Sequence, residues 1–176
     1  MDISTARIKE LREESGAGVM ACRQALIEAQ GDITKALDIL KQQGLLLAEK
    51  KAHRVTAEGV IEAYIHAGSR LGGLVEVNCE TDFVARTDEF RELAHNIAMQ
   101  VVALCPRVVS QPEAQEMSEE ELKEACLLAQ PYIKDPTKTI QDLINETIAR
   151  TGENIKVSRF VRFELGEKEA EDNDQS

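Results

Sequence analysis

Residues 59–79 read GVIEAYIHAGSRLGGLVEVNC, and their hydrophobic period is two. Ile61, Ala63 and Ile65 fall on one side of an extended chain, with Glu62, Tyr64 and His66 on the other. After the loop Ala67-Gly68-Ser69-Arg70, a second run places Leu71, Gly73, Val75, Val77 and Cys79 on a common face. Two antiparallel strands joined by a hairpin follow. Because the spacing on both flanks is helical, this hairpin decides the class: an α+β fold in which helices cover an antiparallel sheet.

Upstream, three short helices are predicted. Ile3, Ile8 and Leu11 give the first an apolar face, and Ser15-Gly16-Ala17-Gly18 breaks it with glycines suited to a tight turn. The second begins near Val19 and runs through Leu26 to Ala29, where Gly31 can supply a left-handed cap. Asp32 is placed as the N-cap of the third, whose Ile33, Ala36, Leu37 and Leu40 face inward and which Gly44 is expected to end. LLLAEKKAHRV, residues 45–55, reads as a last helical turn running into a basic linker. The expected organisation is a three-helix module and linker over 1–54, an α+β core over 55–166, and an acidic tail over 167–176 without apolar anchors.

Downstream, Phe90, Leu93, Ile97, Val101 and Leu104 form one helical stripe closed by Pro106. A shorter helix is expected over Met117 to Ala129, beginning at Ser118 with Glu121 completing a capping box. Pro131 and Pro136 bracket an extended connector, and Thr139 to Ala149 forms a last helix with Ile140, Leu143, Ile144 and Ile148 on one side. The final strand, NIKVSRFVRFEL, alternates Ile155, Val157, Val161, Phe163 and Leu165 on one face, but Arg159 interrupts that face and Phe160 falls on the other. With the hairpin it makes a three-stranded sheet.

Composition narrows the function. Of 176 residues 43% are hydrophobic but only 3% aromatic, with no tryptophan, so the cores are aliphatic. A formal net charge of -11 argues against general attraction to nucleic acid or an anionic membrane and in favour of a protein partner. The N-terminal MDISTARIKELREE lacks the pattern of a secretory signal, and no apolar run approaches the roughly 18 residues that span a bilayer. A cytoplasmic protein is expected. Cys22, Cys79, Cys105 and Cys126 stand far apart without a C-x-x-C pair and read as free thiols rather than a metal or disulfide framework. His53, His66 and His95 form no catalytic constellation with a serine or a metal motif.

Two stretches could carry function. ESGAGVMACRQAL, residues 14–26, has G-x-G opening a helix, but no preceding strand and no Gly-Lys-Ser/Thr run for phosphate binding. It is a helix-helix turn that leaves Val19 and Met20 at a helix start, flanked by Arg12 and Arg23. CETDFVAR, residues 79–86, sets an acid beside a phenylalanine at a strand-to-helix corner. On one continuous helix Thr81 would cap, Asp82 would favour the dipole, and Phe83, seven residues before Phe90, would join the core stripe. If the helix instead restarts at Arg86-Thr87-Asp88, Thr81 to Arg86 becomes a separate projecting turn with its acid and ring outward.

LREESGAGVMACRQALIEAQGDITKALDIL, residues 11–40, resembles the N-terminal module of the bacterial elongation factor Ts family, whose pattern runs close to L-R-x-x-T-G-A-G-x-M-x-C-K-x-A-L with G-D-x-x-x-A beyond. EVNCETDFVAR is similar to that family's second signature, and GENIKVSRFVRFELGE to the end of its core. The resemblance implies a guanine-nucleotide exchange factor, without covalent catalysis or a cofactor, that binds elongation factor Tu in GDP-bound and nucleotide-free forms. It implies a ubiquitin-associated-like module that docks through Arg12, Val19, Met20 and Arg23. It also implies a turn, Thr81, Asp82, Phe83 and Val84, that dislocates the partner's Mg²⁺. Position 23 is arginine where the family usually has lysine, and position 15 is serine for threonine. The chain resembles a short form with one core repeat, and it lacks a basic helical segment between Cys126 and Pro131. Association of two copies is therefore expected to supply the missing half. The alternative reading is a passive adaptor that uses the module to hold a protein; such an adaptor would bind GDP-loaded and empty partner equally.

Overall fold

A computed structural model of the chain describes residues 3–110 and 118–167; most of the expected acidic tail and the expected helix start at Met117 lie outside the described residues. Three helices come first: α1 (Thr5–Ser15), α2 (Val19–Glu28) and α3 (Ile33–Lys51). Ser4 and Asp32 cap α1 and α3 by accepting from the backbone N–H of Arg7 and Lys35, and Gly16 closes α1 at φ 67°. Leu11, Cys22, Ala25, Leu26, Ala29 and Ala36 form the module's own small core.

Gly44 does not end α3. The helix continues to Lys51, and its buried face at Gly44 packs closely on α7 (Ile140–Thr151), beside Asn145 and Ala149. The chain turns at residues 52–54, the interval where the linker was expected.

The strands β1 (Glu58–Ile65), β2 (Leu71–Cys79) and β5 (Lys156–Glu164) form an antiparallel sheet in the order β1-β2-β5. Packed against one face are α5 (Asp88–Leu104) and, farther from the sheet, α7 (Ile140–Thr151). Between these helices stand α6 (Glu119–Ala125), a short 3₁₀ turn over Leu127–Ala129, and a small hairpin of β3 (Pro131–Tyr132) and β4 (Asp135–Thr139). That hairpin replaces the expected extended connector, because Gln100, buried on α5, fastens it. Gln100 donates to Pro131 O at 3.0 Å and to Gln130 Oε1 at 3.2 Å, and accepts from the Ile133 N–H at 3.0 Å. The capping box of Ser118 and Glu121 is present at the start of α6, and Thr139 with Asp142 makes a second one on α7. Leu104, assigned to the core stripe of α5, is half exposed at its last turn.

Register shows which face of β1 is inner and corrects the reading of β5. Val60, Glu62 and Tyr64 turn to the helical side, while Ile61, Ala63 and Ile65 face outward; Glu62 is held there by His95 of α5, whose Nδ1 lies 3.0 Å from its Oε1. In β5 the pairing slips between Val77↔Val157 and Glu76↔Arg159, so Ser158 is an extra residue in a β-bulge. Alternation reverses across it. Val157 and Phe160 lie against the core, whereas Arg159, Val161 and Phe163 share the outer face with Leu74. The interruption at Arg159 in the sequence is this change of phase.

Candidate functional site

The chain leaves β2 at Cys79 and at once makes two helix starts. Thr81 caps the four-residue α4 (Asp82–Ala85), and Thr87 caps α5, each hydroxyl accepting from the backbone N–H three residues on. The continuous-helix alternative is therefore not adopted. Two caps six residues apart impose a break, and the N–H of Thr87 closes the short turn on Val84 O at 3.0 Å.

The break separates the four residues of the signature. Val84 is buried in the main core and anchors the turn, so it is not part of the outward surface. Phe83 is 77% exposed. Asp82 is exposed and paired with Arg86 at 2.8 Å, a surface ion pair worth about 0–1 kcal/mol and easily exchanged for another partner.

Thr81 and its neighbour Glu80 are tied to the corner after α7. Glu153 Oε2 accepts from the N–H groups of Glu80 (3.1 Å) and Thr81 (3.0 Å), and its Oε1 accepts from the Thr81 hydroxyl at 2.6 Å. In return, Glu80 Oε1 accepts from the Asn154 N–H at 2.7 Å. That hydrogen bond, with Arg54 nearby at 3.4 Å, holds the Glu80 carboxyl below the ordinary carboxylate range. The Asn154 side chain, almost wholly buried, donates to Ala52 O at 3.4 Å and to Arg54 O at 2.9 Å, and Lys51 Nζ donates to Gly152 O.

The second surface is the corner between α1 and α2. Met20 is 71% exposed and Val19 half exposed, because Gly18 starts α2 without a side-chain cap and both residues stand on its first turn. Arg12 and Arg23 are exposed on the same corner, with no ion pair to any described residue. Arg150 of α7 reaches across to it, donating to Ser15 O at 3.4 Å while pairing with Glu89 on the first turn of α5 at 3.1 Å. One short corner, residues 150–154, thus touches the α1–α2 corner, the end of α3 and the projecting turn. Glu80, Glu153 and Asn154 carry no local signal in the sequence. Acids and amides beside glycine are common turn composition, and no local spacing shows that residues more than seventy positions apart meet.

A third surface is the outer face of the sheet. Its rows, set by register, are Ile65–Gly72–Phe163, Ala63–Leu74–Val161 and Ile61–Glu76–Arg159. Phe163 is 65% exposed; the first two rows are apolar, and charge enters with Arg159 Nε 2.7 Å from Glu76 Oε2 and with exposed Lys156 in the row beyond, Gly59–Asn78–Lys156. No helix among the described residues is long and apolar enough to cross a membrane.

Comparisons with known proteins agree on one family. The family model described as Elongation factor TS matches residues 47–121 and 115–167. The protein named Elongation factor Ts of Thermoanaerobacter pseudethanolicus is 50% identical over 195 aligned residues, covering 94% of this chain and 96% of that protein. Its namesake in Thermotoga maritima is 49% identical, covering 95% and 98%, and that of Rippkaea orientalis 49% identical, covering 94% and 79%. The alignments are longer than this chain's 176 residues, so these relatives carry residues that it lacks.

Proposed function

The chain belongs to the elongation factor Ts family, a family of translation elongation factors, and from that premise we propose that it is the guanine-nucleotide exchange factor of elongation factor Tu. The observation that carries the proposal is Phe83, a large ring left in water at the tip of a turn capped at both ends and fixed by Glu153. Burying an apolar side chain of this size stabilises a complex by about 1.5–3 kcal/mol, and a rigid turn loses little freedom on docking.

The module over 1–54 docks on the GTPase domain of elongation factor Tu through Arg12, Val19, Met20 and Arg23. The core over 55–166 brings Asp82 and Phe83 against the groups that hold Mg²⁺ and the phosphates. Val84 contributes only by anchoring the turn from below, and Thr81 by capping it. Weakened Mg²⁺ binding removes charge neutralisation from the diphosphate, and GDP leaves. By reciprocity, a factor that binds the empty partner more tightly than the GDP-bound one lowers GDP affinity by the same ratio. The chain acts in the cytoplasm, where translation supplies this partner.

Two copies of the chain associate through the outer face of the sheet. Its apolar rows are self-complementary in character, and pairing two such faces supplies the second half of the surface that a single core repeat lacks.

Release of fluorescent GDP from elongation factor Tu tests the exchange role. Wild type should accelerate release strongly, and Asp82→Ala/Phe83→Ala should lose at least about tenfold of that acceleration. Both side chains are exposed, so the variant's own stability should change by less than about 0.5 kcal/mol. Full exchange by the folded double variant would reject the role of the turn, and equal affinity for GDP-bound and empty partner would favour a passive adaptor.

A further inference from the structure

We propose that Glu153 is a positioning residue for exchange, its carboxylate fixing the projecting turn to the same corner that holds the end of the module's last helix. The inference rests on the exchange reading of that turn and adds a residue that acts through the turn's placement. The Glu153 carboxylate receives three hydrogen bonds, two from the backbone N–H groups of Glu80 and Thr81 and one from the Thr81 hydroxyl at 2.6 Å. These are the last residues before α4, so their placement sets the direction in which Asp82 and Phe83 project.

The Thr81 hydroxyl has two jobs at once. It donates to Glu153 and accepts from the Val84 N–H at 3.4 Å, so the cap of α4 is held in one rotamer by the acid behind it. The clamp is also reciprocal, since Glu80 accepts from the Asn154 N–H. Opening it leaves donors on one side and an acceptor on the other unmatched. Asn154 extends the clamp to Ala52 O and Arg54 O at the end of the module. Two surfaces that engage one partner are thereby held at a fixed separation, which keeps Phe83 in register with its target once the module has docked. Misplacement of a working group by about 1 Å is enough for large losses of rate.

Two conservative variants separate reach from charge. Glu153→Asp keeps the charge but is one methylene short of Thr81, whereas Glu153→Gln keeps the length, one acceptor oxygen for the N–H groups and an amide that can donate to Thr81 Oγ1. Release of fluorescent GDP from elongation factor Tu is followed over a range of concentrations of the full chain, with far-UV circular dichroism confirming the fold. For Glu153→Asp the maximal rate should fall about tenfold while the half-saturating concentration moves less than about threefold, because the docking corner is untouched. Glu153→Gln should recover the maximal rate to within about threefold of wild type.

Wild-type maximal rate in folded Glu153→Asp, or equal losses in the Asp and Gln variants, would overturn the proposal. Asp82→Ala/Phe83→Ala runs alongside as the control. If that variant is slow and Glu153→Asp is not, the positioning role alone fails; if the double variant exchanges fully, the exchange reading of the turn fails first.

Discussion

Replacing Gly44 in the middle of α3 provides a direct measure of how the module is joined to the core. A Cβ added there would lie 3.5 Å from the Ala149 Cβ and 3.9 Å from Asn145 O, ordinary van der Waals contact across α3 and α7. Alanine therefore fits, and it removes the backbone freedom that glycine loses on folding. The expected gain is about 1 kcal/mol, raising Tm by about 2–4 °C for a chain of this size. Leucine keeps the helix propensity but adds three more carbons to a Cβ already in contact with Ala149, and forcing them against α7 costs about 1–3 kcal/mol. The sign should thus reverse between Gly44→Ala and Gly44→Leu. Urea unfolding followed by circular dichroism, with the midpoint and slope fitted separately, reads both values. If leucine stabilised as much as alanine, its side chain would lie in the cavity lined by Leu37, Leu40, Gly44 and Ala149, and the close approach of α3 to α7 would not limit residue size at position 44.

Two further expectations concern the sheet and the thiols. Phe163→Glu, which puts a charge at the β5 edge of the outer apolar rows, should shift the mass measured by light scattering from dimer toward monomer; a wild-type chain that is strictly monomeric, free and bound to elongation factor Tu, would refute the association. At pH 8 Ellman's reagent should find one fast thiol per chain, lost in Cys105→Ser, because Cys105 is exposed and Cys22, Cys79 and Cys126 are buried. Burial, and then the charge of Glu153, push the Cys79 thiol up to about 11, so its folded form stays protonated where an unfolded one ionises. That contribution to stability is complete below the ordinary thiol value and is lost as pH rises through about 11.

Periodicity and local capping signals were enough for the α+β class, the caps at Asp32 and Ser118 and the stripe of α5, because each is written in residues that touch locally. Gly44 shows the limit. A glycine late in a helix reads as a stop, and only the neighbouring helix shows that it is a point of close approach. The faces of β1 could be separated by alternation, yet choosing the inner one required knowing that Tyr64 and Val60 meet α5. Within the candidate site, local chemistry allowed both one helix and two across residues 81–90, since either Thr81 or Thr87 can cap; the structure uses both. Glu153 was not legible at all. Its function as an acceptor exists only after β5 has brought the end of α7 beside the end of β2.

The bulge at Ser158 gives the last strand an unusual kind of dependence. Up to Val157 its inner residues follow one parity of the numbering, and beyond the bulge they follow the other. Which side chains stand on the outer face is therefore decided by the bulge rather than by composition. Pairing Ser158 in regular register, with the bulge flattened and no residue changed, would send Val161 and Phe163 inward and Phe160 and Arg162 out, whereas deleting Ser158 would remove the bulge and keep each downstream residue on its present face. A change of register that alters no amino acid thus exchanges apolar side chains for Arg162 on the outer face, and the bulge is what keeps the outer rows apolar.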